Sequence, residues 1–261
     1  MGVILARGLL RAGWAPADLV LAARRRERAA EVEEETGIST LLDAAAAARG
    51  RQVVVVAVKP RDVPGLLDTL AGSIQPGQVV VSLAAGVPTR TYEDALGAVP
   101  VVRAMPNTPA AVDEGMTAYC AGRHAGNDDL ELASRVLGAV GETLQLAEEL
   151  LDAVTAVSGT GPAYVYLLAE ALSEAAIREG LPHHAAGKLV AQTLRGAGIL
   201  LAESRKTPGE LRAEVTSPGG TTAAAVHVLE EAGYRAAIED AVRAAAERSR
   251  ELGRRAAGED G

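Results

Sequence analysis

Val53-Val54-Val55-Val56-Ala57-Val58-Lys59-Pro60 is the stretch on which the fold turns. Its six apolar positions show no alternation, so a strand made from them is apolar on both faces. Such strands lie inside parallel sheets that helices cover on both sides. Pro60 has no N–H to donate and ends the strand. Lys59 is thereby placed at the carboxyl edge of the sheet, where open α/β sheets hold ligands.

The neighbouring segments extend this pattern. Residues 2–12 read as a helix, with Ile4, Leu5, Gly8 and Leu9 on one face. Residues 19–22 form a short apolar strand, and residues 24–35 a charged helix closed by Gly37. Residues 63–70 read as helix and 77–83 as strand, with further strands at 100–103 and 116–120. Strand and helix alternate over short connections, which predicts a doubly wound parallel sheet. Beyond about residue 145 the strand-like runs stop. Segments 150–157, 162–179, 184–205 and 223–250 are long, Ala/Leu-rich and helix-periodic. The expected organisation is an α/β domain over 1–147, an all-α domain over 148–253 and a frayed polar tail over 254–261.

Composition narrows the function. The 261 residues are 48% hydrophobic and 23% charged, with a net charge of -8, which excludes a disordered chain. Five Tyr, one Trp and no Phe leave little with which to stack nucleic-acid bases, and the acidic balance opposes a phosphate backbone. No nucleic acid is expected as a partner. The single cysteine, Cys120, rules out an intrachain disulfide and fits a reducing, cytoplasmic compartment. No run reaches the length of about 18 apolar residues that spans a bilayer, so no membrane is expected. Arg7 and Arg11 interrupt the apolar start that a leader peptide needs, and Ala6 does not match an acylation site.

Several loops carry chemistry. Gly2 stands where the last glycine of a Gly-x-Gly-x-x-Gly dinucleotide turn stands, just inside a helix. The expected α/β domain is therefore of Rossmann type and lacks its first strand. At the end of the 19–22 strand, Arg24 and Arg25 occupy the place of a ribose-reading acid. Arginines there suit a 2′-phosphate, hence NADP. Ser82-Leu83-Ala84-Ala85-Gly86 ends the next strand in small residues, and Arg103-Ala104-Met105-Pro106-Asn107-Thr108-Pro109 ends another. Asn107 is a candidate cofactor contact in that crevice. Val215-Thr216-Ser217-Pro218-Gly219-Gly220-Thr221-Thr222 lies between two helices and offers hydroxyls and backbone N–H groups at a helix start, a ready carboxylate site. Ser158-Gly159-Thr160-Gly161-Pro162-Ala163-Tyr164 is a second such turn. His183-His184 reads as a surface helix start, and no metal site is expected.

These loops, in this order and spacing, resemble the pyrroline-5-carboxylate reductase family, and the resemblance runs from Met1 to about Leu252. It implies reduction of the cyclic imine 1-pyrroline-5-carboxylate to L-proline by NADPH or NADH, the last step of proline biosynthesis. It implies cofactor contacts from Ala57, Val58, Lys59, Pro60, Leu83, Ala84 and Ala85. The substrate carboxylate would be bound by Ser217, Gly219, Gly220 and Thr221. Thr222 would sit near the ring nitrogen as the catalytic proton donor, and Glu148 would contact the substrate. It also implies domain-swapped homodimers that assemble into a decamer. Two alternatives have distinct signatures. A β-hydroxyacid dehydrogenase would use a helix-borne lysine, for which Lys188 is the candidate. A catalytically silent homologue would oxidise no NADPH.

Overall fold

A computed structural model of the chain describes residues 1–256. It divides into two compact units: Met1–Thr160 together with the chain from Ala244 onward, and Gly161–Arg243. The expected tail at 254–261 lies outside the described residues from 257, and residues 254–256 still belong to the last helix.

The first unit contains a five-stranded sheet in the order β3 (Val53–Val56), β4 (Val79–Ser82), β5 (Val101–Met105), β6 (Gly115–Ala121) and β7 (Gly141–Gln145). A separate two-stranded sheet pairs β1 (Leu21–Ala22) with β2 (Thr40–Leu41) in parallel. Helices α1 (Gly2–Arg11), α2 (Arg26–Thr36), α3 (Ala44–Ala48), α4 (Val63–Leu70), α5 (Thr89–Leu96) and α6 (Asn127–Leu137) complete the nucleotide-type half.

The valine run behaves as its composition requires. Val53 and Val55 face a core containing Leu5 and Leu9 of α1 and Val136 at the end of α6. Val54 and Val56 face Leu67 and Leu70 of α4 and Tyr92 of α5. Both faces of β3 are thus covered by helices. Trp14 packs at the margin of the α1 core, just after the helix ends.

One strand direction departs from expectation. β3, β4 and β5 are parallel, but β6 runs antiparallel to β5, with Arg103 opposite Cys120. The reason is the connection. Residues 106–114 contain only the 3-10 turn Thr108–Val112, and a parallel crossover needs about a dozen residues or more. From β6 to β7 the chain passes through α6, and that pair is parallel.

The compact first unit extends past residue 147, to Thr160. After β7, α7 (Leu151–Val154) lies on the sheet, with Leu151 fully buried beside Ala118 and Cys120. The π-helical turn Thr155–Gly159 follows. Burial of this segment binds it to the first unit. The end of the last helix, α12 (Tyr234–Ala256), joins the same unit, where the Ser249 hydroxyl donates to Asp152 at 2.7 Å.

The second unit is helical, as expected: α8 (Gly161–Arg178), α9 (His183–Glu203), α10 (Pro208–Glu214), α11 (Thr221–Glu231) and the first part of α12. Pro208 and the Thr207–Glu210 capping box start α10. Among the described residues of this unit, only Ala186 and Val190 are buried hydrophobics, while Tyr166, Leu167 and Val228 are more than 60% exposed.

Candidate functional site

The first unit presents a cradle at the carboxyl ends of β1, β3 and β4. Helix α1 begins at Gly2 with neither a side-chain cap nor an acid in its first turn, so its leading N–H groups carry no internal anion. A Cβ on Gly2 would lie 3.0 Å from the Ala57 Cβ, so the Gly–Ala pairing is what lets the helix start approach the end of β3. At the end of β1, Ala23 still pairs with Leu41 at 2.9 Å, and Arg24 and Arg25 then leave the sheet exposed. Arg24 Nη2 donates to Asp62 Oδ2 at 3.1 Å. Lys59 is exposed at the N-cap of the 3-10 turn Pro60–Asp62.

After β4 the three residues Leu83, Ala84 and Ala85 differ in role. The Leu83 N–H donates to Val56 O at 2.9 Å, extending the strand pairing, and its side chain packs toward α1. Ala84 is core. Ala85 is half-buried on the loop side, before Gly86 at φ +77. A Cβ on Gly86 would meet the Gly253 N at 3.2 Å, so the end of α12 rests on this loop. Ser82 Oγ and Tyr92 Oη are 2.5 Å apart beneath it. Burial pushes the Tyr92 phenol up to about 12, opposed by the Ser82 hydrogen bond and the charge of Arg103. An uncapped helix start, a close Gly–Ala approach and arginines at the β1 end fit an NADP-type dinucleotide.

Two of the expected site residues have partners within the first unit. The Asn107 amide oxygen accepts from the Met116 N–H at 2.9 Å, and its nitrogen donates to Ser158 O and Oγ, each at 3.3 Å. Its polar atoms tie the β5 loop to β6 and to the π-helical turn. Glu148 Oε1 accepts from the Thr89 N–H at 2.8 Å and Oε2 from the Thr89 hydroxyl at 2.7 Å. Arg103 Nη1 adds a bond to Oε1 at 3.2 Å. Through these bonds Glu148 holds the start of α5 and neutralises an arginine that is almost wholly buried. Asp152, 3.8 Å from Arg103 Nη2, completes the balance.

The loop expected to bind the substrate carboxylate lies in the second unit. The Gly220 N–H donates to Ser217 O at 3.0 Å, with Pro218 next and Gly219 at φ +67, the pattern of a type II turn. A Cβ on Gly220 would stand 2.4 Å from Ser217 Oγ, so only glycine allows that hydroxyl so near the helix start. Gly220 is the N-cap of α11 and makes no side-chain cap bond. Thr216, the loop's other hydroxyl, donates back to Arg212 O at 2.6 Å. The leading N–H groups of an eleven-residue helix are therefore left for an anion, with Ser217, Thr221 and Thr222 around them. Lys188 is exposed on α9.

Over 258 residues the chain is 41% identical to a pyrroline-5-carboxylate reductase of Corynebacterium melassecola, covering 97% of this chain and 96% of that one. The chain belongs to the pyrroline-5-carboxylate reductase family. A family model described as pyrroline-5-carboxylate reductase dimerisation matches residues 148–252, and one described as NADP oxidoreductase, coenzyme F420-dependent, matches 1–86. The solved structure of a pyrroline-5-carboxylate reductase from Coxiella burnetii superposes with a TM-score of 0.90 at 36% identity, covering 95% of this chain and 93% of that one. The Plasmodium falciparum reductase, solved with NADP bound, superposes at 0.86 with 29% identity, covering 97% and 94%. A β-hydroxyacid dehydrogenase reading of Lys188 gains nothing from these likenesses.

Sequence reasoning passed over Asp62, Thr89 and Asp152 in this reductase. Asp62 and Asp152 each look like ordinary helix-start acids, and Thr89 like an ordinary cap. Their partners lie far along the chain, so no local pattern betrays them.

Proposed function

We propose that this chain reduces 1-pyrroline-5-carboxylate to L-proline, with NADPH as the preferred reductant and NADH as a substitute, as the last step of proline biosynthesis. The observation that carries this reading is the uncapped start of α11 behind the Ser217–Gly220 turn, in a chain alike to these reductases over nearly its whole length. When bound, the dinucleotide supplies a hydride to the carbon of the C=N bond. The leading N–H groups of α11, with Ser217, Gly219, Gly220 and Thr221, hold the substrate carboxylate. That grip orients the ring. The electron pair of the C=N π bond moves to nitrogen, and Thr222 donates the proton that nitrogen takes, directly or through one water, and regains a proton from solvent. A threonine hydroxyl is a weak acid, so orientation and fixed dipoles contribute more than acidity. In the first unit, the α1 start takes the pyrophosphate, Arg24 and Arg25 the 2′-phosphate, and the Ala57–Pro60 and Leu83–Ala85 edges the rest of the dinucleotide.

The same reading includes a homodimer exchanging helical parts, assembled further into a decamer. The exposed apolar side chains of the second unit support a covering copy, because soluble monomers rarely leave such surface open. Cys120, buried and unpaired, accords with a cytoplasmic setting. The test is NADPH oxidation, followed by absorbance, with pyrroline-5-carboxylate. Saturable turnover that yields proline supports the reading. No oxidation by folded protein that binds NADPH would assign a silent homologue.

A further inference from the structure

We infer that Asp62 sets how strongly this chain prefers NADPH over NADH, by holding and partly neutralising the arginine that meets the 2′-phosphate. This rests on the proposed role of Arg24 above. Asp62 closes the turn Lys59-Pro60-Arg61-Asp62 after β3 and stands at the head of α4. An aspartate there ordinarily accepts from a leading helix N–H. Here it makes no cap bond. Its carboxylate reaches instead to Arg24 Nη2 at 3.1 Å, bridging the end of β3 to the end of β1.

The two partners are unequal. The Asp62 side chain is 21% exposed in the cradle wall, whereas Arg24 is 79% exposed. The guanidinium has more room to move than the half-buried acid. An ion pair this exposed is weak, so a ligand can displace it. A 2′-phosphate bears close to two negative charges at neutral pH, as phosphomonoesters do. To bind it, Arg24 must either leave Asp62 or share its donors between carboxylate and phosphate, keeping two anions on one cation. Both routes weaken the hold on the 2′-phosphate. A cofactor with a plain 2′-hydroxyl meets no such opposition and can use the carboxylate as a hydrogen-bond acceptor. Asp62 therefore narrows the gap between the two cofactors, and the chain accepts both.

The test is calorimetric titration of the full-length protein with NADP+, NAD+ and 2′,5′-ADP, in the absence of substrate, for the native chain and for D62N and R24A. Asp62→Asn should tighten NADP+ and 2′,5′-ADP by roughly threefold to tenfold while changing NAD+ far less, so that the affinity ratio shifts toward NADP+. Arg24→Ala should weaken NADP+ and 2′,5′-ADP and spare NAD+. If R24A lowers the ratio as expected but D62N leaves it unchanged or lowers it, the role of Asp62 is overturned and that of Arg24 stands. If R24A leaves the ratio unchanged, the reading of Arg24 fails, and with it this inference. Thermal melts of each variant separate a lost fold from an altered preference.

Discussion

Thr222 and Cys120 carry opposite expectations at the scale of single residues. Thr222 is half-buried in the first turn of α11 and has a hydroxyl to give. Thr222→Ala should lower kcat about tenfold to a hundredfold with a small change in KM, while Thr222→Ser keeps most of the turnover. Equal kcat for the alanine variant would remove Thr222 from the proton step. Cys120 has a thiol but cannot use it. Burial first, then the charge of Glu148, pushes that thiol from 9.0 to about 12, against a smaller opposing effect of Arg103. Native protein at pH 8 should therefore resist iodoacetamide, and denatured protein should react readily. The same shift has a consequence for stability. The unfolded thiol loses its proton near 9.0, whereas the folded one keeps it to about 12. Across that window the native state binds more protons, so stability falls as pH rises. Tyr92 adds to the fall from 10.0 upward. A melting temperature that holds between pH 7 and 9 and then drops is the expected profile.

Among the elements, β5 and its partners depend on one buried charge. Arg103 rises from the middle of a strand, and among the described residues Glu148 and Asp152 balance it. Replacing it by Met strands both carboxylates near the sheet and should cost on the order of 3 kcal/mol of stability, read from urea unfolding. A further Glu148→Gln change should restore part of it. The same region shows what pattern can and cannot convey. β3 was readable because four consecutive valines allow few other fates. β2 has two residues, too few to carry any period, and went unread. β7 also escaped, because Glu142 and Gln145 break its apolar character at the sheet edge. The reversal of β6 is a matter of connection length, which composition does not display. At the site, the Ser217–Gly220 turn could be read because proline and paired glycines enforce it locally. The partners of Asn107, Glu148 and Arg24 could not, since each bond joins residues far apart in sequence.

For the molecule as a whole, the two units differ in how they are held. Among the described residues, the first has four buried clusters of its own. The second has exposed apolar side chains on α8, α9 and α11 and little interior. Leu167→Glu, at a position 66% exposed on α8, should shift the protein toward monomer in light scattering and lower its melting temperature. An unchanged mass would place the contact between copies elsewhere.

The location of the sole tryptophan gives this difference an optical readout. Trp14 belongs to the α1 core, and Tyr92 and Tyr119 share its unit, while Tyr164, Tyr166 and Tyr234 lie in the helical one. Tryptophan emission thus follows the nucleotide-type half alone, whereas helical ellipticity weighs both halves. At high protein concentration the two denaturation curves should coincide. On dilution the ellipticity should begin to fall first, as helices that lean on a second copy lose it, while the indole beside Leu5, Leu9 and Val140 still emits from a folded core.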